Sequence, residues 1–226
     1  MTANLNNEIS AIVGRVNRRG LSYLDHDTLM ELSATVVSLE KKRMPGIFIE
    51  AGCALGGSSI VIASVKSPER PFFLYDVFGM IPPPSQRDGA DVQARYEIIR
   101  TGRSKGINGE LYYGYQEDLY ETVQDNFKDF GLDLVQNNVH LVRGLYEHTL
   151  HVNTPVAFAH IDCDWYESVI VCLQRIAPFL VKEGILVIDD YHAWSGCRAA
   201  IDEFFSDKKG QYLFQERRRL QIKKIA

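Results

Sequence analysis

The chain has no cysteine pair, no long apolar run and no excess of positive charge, and each absence closes a class of function. Its four cysteines, Cys53, Cys163, Cys172 and Cys197, show no CxxC spacing, so neither a disulfide framework nor a zinc site follows. Cysteines beside or inside apolar runs, as most of these are, behave as small buried hydrophobes. No stretch is apolar over the roughly 20 residues that a membrane-spanning helix needs. The opening residues, MTANLNNEIS, lack the basic-then-apolar order of a secretory signal, and a reducing cytoplasm is the expected location. A formal net charge of −4 argues against a nucleic-acid partner. Basic residues gather only near the end, at Arg217, Arg218, Arg219, Lys223 and Lys224, where the simple expectation is a solvated edge strand kept from pairing with its neighbours. Internal repeats and low-complexity tracts are also missing. What remains, with 46% hydrophobic and 24% charged residues over 226 positions, is an ordinary globular balance, read as one domain spanning 1–226.

The apolar pattern changes period along the chain. Ile9, Ile12, Val13 and Val16 recur at helical spacing within a helix expected from about Leu5 to Arg19. A second helix is expected from Asp27, taken as its cap, to Lys41. Strand-like runs then alternate with helical ones. Gly46 to Glu50 ends in a glycine-rich turn, Phe72 to Tyr75 ends at Asp76, and Val139 to Val142 ends near Gly144. Val156 to Ile161 ends at Asp162, and Ile185 to Ile188 ends at Asp189. Helices are expected over about Gln116 to Phe130, Tyr166 to Val181 and Gly196 to Phe205. This alternation predicts an α/β fold with a mostly parallel sheet covered on both faces, and runs such as ILVI fit central strands. Segments near Tyr212 and Leu220 predict a closing hairpin. One stretch breaks the rhythm: the connection between Asp76 and Gln116 is far longer than usual. It carries Pro82, Pro83 and Pro84, a possible helix from Ala90 to Arg100, and a glycine-punctuated piece around Tyr112 and Tyr113. A substrate lid is the favoured reading.

Chemistry concentrates at the strand ends. In Glu50-Ala51-Gly52-Cys53-Ala54-Leu55-Gly56-Gly57-Ser58-Ser59, glycine permits a tight turn and close ligand approach, and the next helix offers free N–H groups to an anion. The spacing is not GxGxxG and no lysine stands in the turn, so neither the dinucleotide fingerprint nor a P-loop is present. Asp76, at the next strand end, is placed to accept two hydrogen bonds from a ribose diol. Asp162, Asp164, Asp189 and Asp190 follow two central strands and should lie together. Like charges so close repel unless protons or a cation intervene, and an all-oxygen site suits magnesium or calcium. Helix capping could account for one or two of the four. His192 is a candidate proton acceptor. His160, inside an apolar run, reads as structural, and Trp165, Tyr166 and Trp194 as pocket walls or packing.

The stretches FIEAGCALGGSSI, LYDVFGM, GYQEDLYETVQDNFKDFGL, VHLVRGLYEHTL, HIDCDWYES and LVIDDYHAWSGCRAAIDEF together resemble the macrocin O-methyltransferase family, which methylates sugar hydroxyls in antibiotic biosynthesis. They cover most of the chain from Gly46 to Phe205, and their order and combination are specific. The resemblance implies a class I methyltransferase (Rossmann-like) doubly wound sheet, mostly parallel with a C-terminal antiparallel hairpin. An N-terminal helical segment (1–45) and a lid insertion (about 78–115) complete it. It also implies S-adenosyl-L-methionine and Mg2+ as cofactors, with a small-molecule acceptor, a sugar-bearing natural product. Carried over by position, Glu50, Gly52 and Ser58 lie along the methionine part of the cofactor, with Asp162 close by. Asp76 then holds the ribose, and Tyr146 and Glu147 approach the adenine. Asp162, Asp189 and Asp190 bind the metal. For the base, Asp162, Asp164 and His192 stay as rivals, since a metal-bound carboxylate is a poor base.

The pattern resembles magnesium-dependent catechol O-methyltransferases more distantly. No lysine stands near Trp165 and Tyr166 to match theirs, so that mechanism does not carry over. Glycine is more usual than His192 in the sugar enzymes, which leaves acceptor and base open. A nucleotide-sugar glycosyltransferase using Asp162-Cys163-Asp164 as a DxD motif is the alternative, and a silent nucleoside-binding domain a third. Whether the segment before Gly46 covers the site or meets a second subunit of a homo-oligomer is also open.

Overall fold

Successive side chains of a strand face opposite sides of its sheet, and in the central strands here both sides are apolar. In the computed structural model, which describes residues 3–208 and 210–226, β1 (Ile47–Ala51) turns Phe48 to one side and Ile49 and Ala51 to the other. β4 (Val156–Ile161) does the same with Phe158 against Ala159 and Ile161. The Phe48 and Phe158 rings meet edge to face at 5.4 Å, and burying each contributes about 1.5–3 kcal/mol. Met1, Thr2 and Lys209 lie outside the described residues, so the segment expected over 1–45 is followed from residue 3.

The seven strands form one sheet in the order β3-β2-β1-β4-β5-β7-β6. β1, β2 (Phe72–Asp76), β3 (Val139–Arg143), β4 and β5 (Leu180–Ile188) run parallel. β7 (Leu220–Lys224) enters antiparallel between β5 and the edge strand β6 (Tyr212–Glu216). The mostly parallel sheet with a closing hairpin is the expected one. α1 (Ala3–Arg18), α2 (His26–Lys41), α3 (Gly57–Val65) and α5 (Leu119–Asp129) cover the Phe48 face. α7 (Tyr166–Ile176) and α8 (Ser195–Phe205) cover the other. From β1 the chain steps outward to β2 and β3, then returns to the opposite side of β1 with β4. The crevice at that switch point, at the carboxyl ends of the strands, is where open α/β sheets bind ligands. Among the described residues, no helix is long and apolar enough to cross a membrane.

Three boundaries differ from expectation. The cap of α2 is Asp25, whose carboxylate accepts from Thr28 N at 2.7 Å, and not Asp27, which lies in the first turn. The helix expected to reach Val181 ends at Ile176, because Pro178 cannot donate to the carbonyl four residues back, and β5 begins already at Leu180. α5 starts at Leu119 rather than near Gln116.

The long insertion holds α4 (Ala90–Arg100), as expected, around a small core of Val92, Ile99, Tyr112 and Trp165. α7 and α8 start with Trp165 and Trp194 at the cap position, which offer no capping hydrogen bond. The insertion supplies it instead. Asp88 Oδ1 accepts from Tyr166 N at 2.8 Å, and Asp91 Oδ2 accepts from Ser195 N at 2.9 Å. Carboxylates at helix N-termini satisfy orphan N–H groups and complement the dipole. The approach needs Gly196, since a Cβ there would lie 1.9 Å from Asp88 Oδ1.

Candidate active site

The loops after β1, β2 and β4 converge at the switch point. Gly52 has φ 89°, and a Cβ there would lie 1.8 Å from the Asp162 carbonyl oxygen. Only glycine lets the β1 turn lie this close to β4. Asp76 fastens the turn: Oδ2 accepts from Cys53 N at 2.9 Å and Ala54 N at 3.2 Å, and Oδ1 accepts from Phe78 N at 2.8 Å. Burial pushes the Asp76 carboxyl up, against the pull of those three amides. Ala54, Phe78 and Asp164 all have left-handed backbones, with φ of 45°, 49° and 60°. Such conformations cost non-glycine residues about 1–3 kcal/mol each and gather at functional sites.

Two cavities open from this junction and share Gly52, Asp76, Tyr113, Asp162, Asp164 and Trp165. The first, of about 360 Å³, is lined further by Leu145, Tyr146 and Glu147 around the short α6 (Tyr146–Thr149) and by Ile81, Pro82 and Pro83 of the insertion. Trp165 Nε1 donates to the Pro82 carbonyl at 3.0 Å and holds that wall. The second, of about 260 Å³, adds Ser58, Tyr23, Arg95, Tyr112, Trp194, Asp189, Asp190 and Arg219. Leu21 to Leu24, in the connection between α1 and α2, line it as well.

Four carboxylates meet at the second cavity. Burial, then Asp189 and Asp190, drives the Asp162 carboxyl well above the ordinary range, and burial with Asp164 and Asp189 does the same to Asp190. Asp164 is pushed up to about 6 by burial and Asp189. Asp189 goes the other way: burial would raise it, but His160 and Arg219 outweigh burial and hold it low. Arg219 Nε donates to Asp189 Oδ1 at 2.7 Å. His160 Nε2 lies 3.7 Å from the same oxygen, an ion-pair approach beyond hydrogen-bond range, while Nδ1 meets Glu50 Oε1 at 2.7 Å. Burial opposes charge on His160, yet the Asp189 and Glu50 carboxylates flanking its ring outweigh it and raise the group to about 10. The ligand atoms of His160, Asp162 and Asp189 lie within 4.8 Å of one another. Of these three, Asp162 and Asp189 offer carboxylate oxygens and His160 a ring nitrogen. Asp190, expected as the third ligand, is turned so that Oδ2 accepts from Asp164 N at 3.3 Å.

Of the residues singled out in the sequence, Gly52, Ser58, Asp76, Tyr146, Glu147, Asp162, Asp164, Asp189 and Asp190 all line one or both cavities. Two do not. Glu50, expected along the cofactor, is fully buried and lines neither, its carboxylate taken by Ser59 Oγ and His160. Register pairs it with His160 across β1 and β4. His192, expected as a candidate base, is exposed, lies outside both cavities and pairs with Glu216 at 2.9 Å. His160, expected as structural, is buried with Nδ1 on Glu50 and no hydrogen-bond partner at Nε2 among the described residues, and Tyr166 packs rather than walls, its ring under the Arg87 guanidinium at 4.3 Å. Sequence reasoning missed Asp88, Arg95, Tyr113 and Arg219.

The sheet order, the glycine turn and the acidic centre define a class I methyltransferase fold. The chain belongs to the macrocin-O-methyltransferase (TylF) family, whose profile matches residues 16–212. It is 30% identical over 200 residues to 8-demethyl-8-(2,3-dimethoxy-alpha-L-rhamnosyl)-tetracenomycin-C 4'-O-methyltransferase of Streptomyces olivaceus, covering 85% of this chain and 67% of that enzyme. It is 25% identical over 168 residues to demethyldecarbamoylnovobiocin O-methyltransferase of Streptomyces niveus, covering 71% of this chain and 58% of that one. The chain thus spans about two thirds or less of these relatives' length. Among solved structures it resembles the O-methyltransferase NovP, with TM-score 0.73 and 20% identity over 91% of this chain and 83% of that one. Nothing in these relationships supports the glycosyltransferase alternative.

Proposed function

We propose that the chain transfers a methyl group from S-adenosylmethionine to a hydroxyl of a sugar-bearing small molecule, with magnesium held at the acidic centre. The observation that carries this reading is the junction of two cavities of different chemistry at Gly52, Asp76 and Asp162. The cavity with Tyr146, Glu147 and the insertion's prolines suits a nucleoside. Its neighbour, with carboxylates, tyrosines and tryptophans, suits a polyhydroxylated acceptor. Family membership and the rhamnosyl group named in the tetracenomycin relative's substrate support such an acceptor.

S-adenosylmethionine in the first cavity would supply a sulfonium methyl, whose carbon an acceptor oxygen would attack in line, the C–O bond forming as the C–S bond breaks and S-adenosylhomocysteine leaves. Asp76, with three of its roughly four lone-pair sites taken by amides, keeps one on Oδ1 for a ribose hydroxyl. Tyr146 and Glu147 face the adenine, and Gly52 borders the methionine end, with Ser58 across the junction in the second cavity. The donor set of Asp162, Asp189 and Asp190 fits magnesium: it is all oxygen, and burial with mutual repulsion raises the Asp162 and Asp190 carboxyls. A magnesium ion there supplies Lewis acidity that lowers the cost of taking the acceptor's proton. Asp164, with its carboxyl near 6, takes that proton, and Trp165 and Trp194 wall the acceptor. The whole chain acts as one methyltransferase unit, and the insertion over 78–115 serves as the lid that excludes water.

Calorimetric titration with S-adenosylhomocysteine, in magnesium and after chelation, tests the reading. Binding in both conditions is expected, followed by magnesium-dependent methylation in a panel of rhamnosides. Asp189→Ala is expected to bind S-adenosylhomocysteine and lose turnover. Failure to bind S-adenosylhomocysteine overturns the proposal; full turnover in chelator overturns its metal part.

A further inference from the structure

The basic turn between β6 and β7 has specific partners, unlike a merely solvated edge. Arg218 Nη2 donates to Asp27 Oδ2 at 2.6 Å, in the first turn of α2. Arg219 swings inward to Asp189, with its side chain 31% exposed and that of Asp189 11% exposed. It lines the acidic cavity and also a small cavity of about 10 Å³ behind it, shared with His160 and Gln221. Among the described residues no hydrogen bond reaches Asp189 Oδ2. One oxygen of this expected metal ligand is therefore held by a guanidinium, and the other is free.

We infer that Arg219 is the acidic centre's own counter-cation: it neutralises Asp189 in the cation-free protein and competes with a divalent cation for the same negative charge. The inference rests on the magnesium reading above. A guanidinium stays charged at every accessible pH, so it cannot step aside by losing a proton. In a half-buried site its field is poorly screened, which stabilises nearby carboxylates and opposes a second positive charge. Removing that charge must therefore act in opposite senses on the two states. The cation-free protein loses its compensation, while the cation-loaded protein loses a repulsion. A purely structural role for Arg219 would weaken both states and leave cation affinity unchanged or lower.

The test compares wild type, Arg219→Met and Arg219→Lys as full chains, with Mn2+ as the probe. Free Mn2+ is followed by electron paramagnetic resonance, and melting is followed in chelator and in magnesium. Arg219→Met is expected to bind Mn2+ about tenfold tighter, equivalent to about 1.4 kcal/mol. It should also melt below wild type in chelator and gain more from magnesium than wild type does. Arg219→Lys keeps the charge and should bind Mn2+ as wild type does. If the methionine variant does not fold, Arg219→Gln gives the same reading. Wild-type binding of Mn2+ with equal or weaker binding by the uncharged variant overturns the role of Arg219 alone. No Mn2+ binding by either protein overturns the metal reading, and the inference with it.

Discussion

Replacing Asp88 by alanine should loosen the insertion without unfolding the sheet. Asp88 is buried, with Oδ1 receiving Tyr166 N at 2.8 Å and Oδ2 receiving Ser85 N at 2.9 Å. Hydrogen bonds to a charged group contribute about 1.5–3 kcal/mol each, so the carboxylate accounts for about 3–6 kcal/mol of attachment. Water reaching the freed N–H groups recovers part of this, leaving about 3 kcal/mol. At about 1.4 kcal/mol per tenfold, local opening should become roughly a hundredfold more frequent. Hydrogen exchange read by mass spectrometry would detect it in peptides across 90–112, while β4 and β5 keep their protection. S-adenosylhomocysteine affinity should fall too, because Ile81 and Pro82 of the same insertion wall the first cavity. Unchanged exchange over 90–112 in a folded Asp88→Ala protein would refute the idea that this carboxylate fastens the insertion.

Gly52→Ala should cost about 3 kcal/mol or more and abolish S-adenosylhomocysteine binding, since its Cβ would stand 1.8 Å from the Asp162 carbonyl. A wild-type melting curve would contradict this. Asp76→Ala orphans the amides of Cys53, Ala54 and Phe78, at about 1–3 kcal/mol each, and should weaken S-adenosylhomocysteine about a hundredfold or more by calorimetry. His192→Ala should leave the methylation rate within about twofold, because a 57% exposed side chain in a surface ion pair contributes about 0–1 kcal/mol. A large loss of kcat would restore His192 as a candidate base.

Much of the crevice was readable because it hangs on strands whose composition allows one placement. VAFAHI and ILVI are apolar on both sides, so they had to be central, and their carboxyl ends carry Asp162, Asp189 and Asp190. The same reasoning placed Asp76 and Gly52 beside them. It failed for side chains whose partners come from elsewhere in the chain. Asp25 and Asp27 offer identical capping chemistry two residues apart, and Arg218, far along the chain, engages the second. Glu50 sits at the expected strand end, but its direction follows from register. Glu50 stands two residues before Gly52 and His160 two before Asp162, so aligned parallel strands put acid beside base. That offset was visible in the sequence and foretells the Glu50–His160 pair.

The helix starts held a second unread signal. An α-helix leaves its first N–H groups without internal partners, and buried starts need an acceptor. Trp165 and Trp194 occupy the cap positions of α7 and α8, and neither side chain accepts a hydrogen bond there. An acceptor from another segment was therefore required, and the acids leading into α4 in the insertion were available. Those same helix starts adjoin Asp164 and follow Asp190, which are themselves joined through Asp164 N and Asp190 Oδ2. Asp88 and Asp91 thus fasten the insertion to the starts of the two helices that adjoin the acidic centre. An insertion serving only as a tether would need neither carboxylate at those positions.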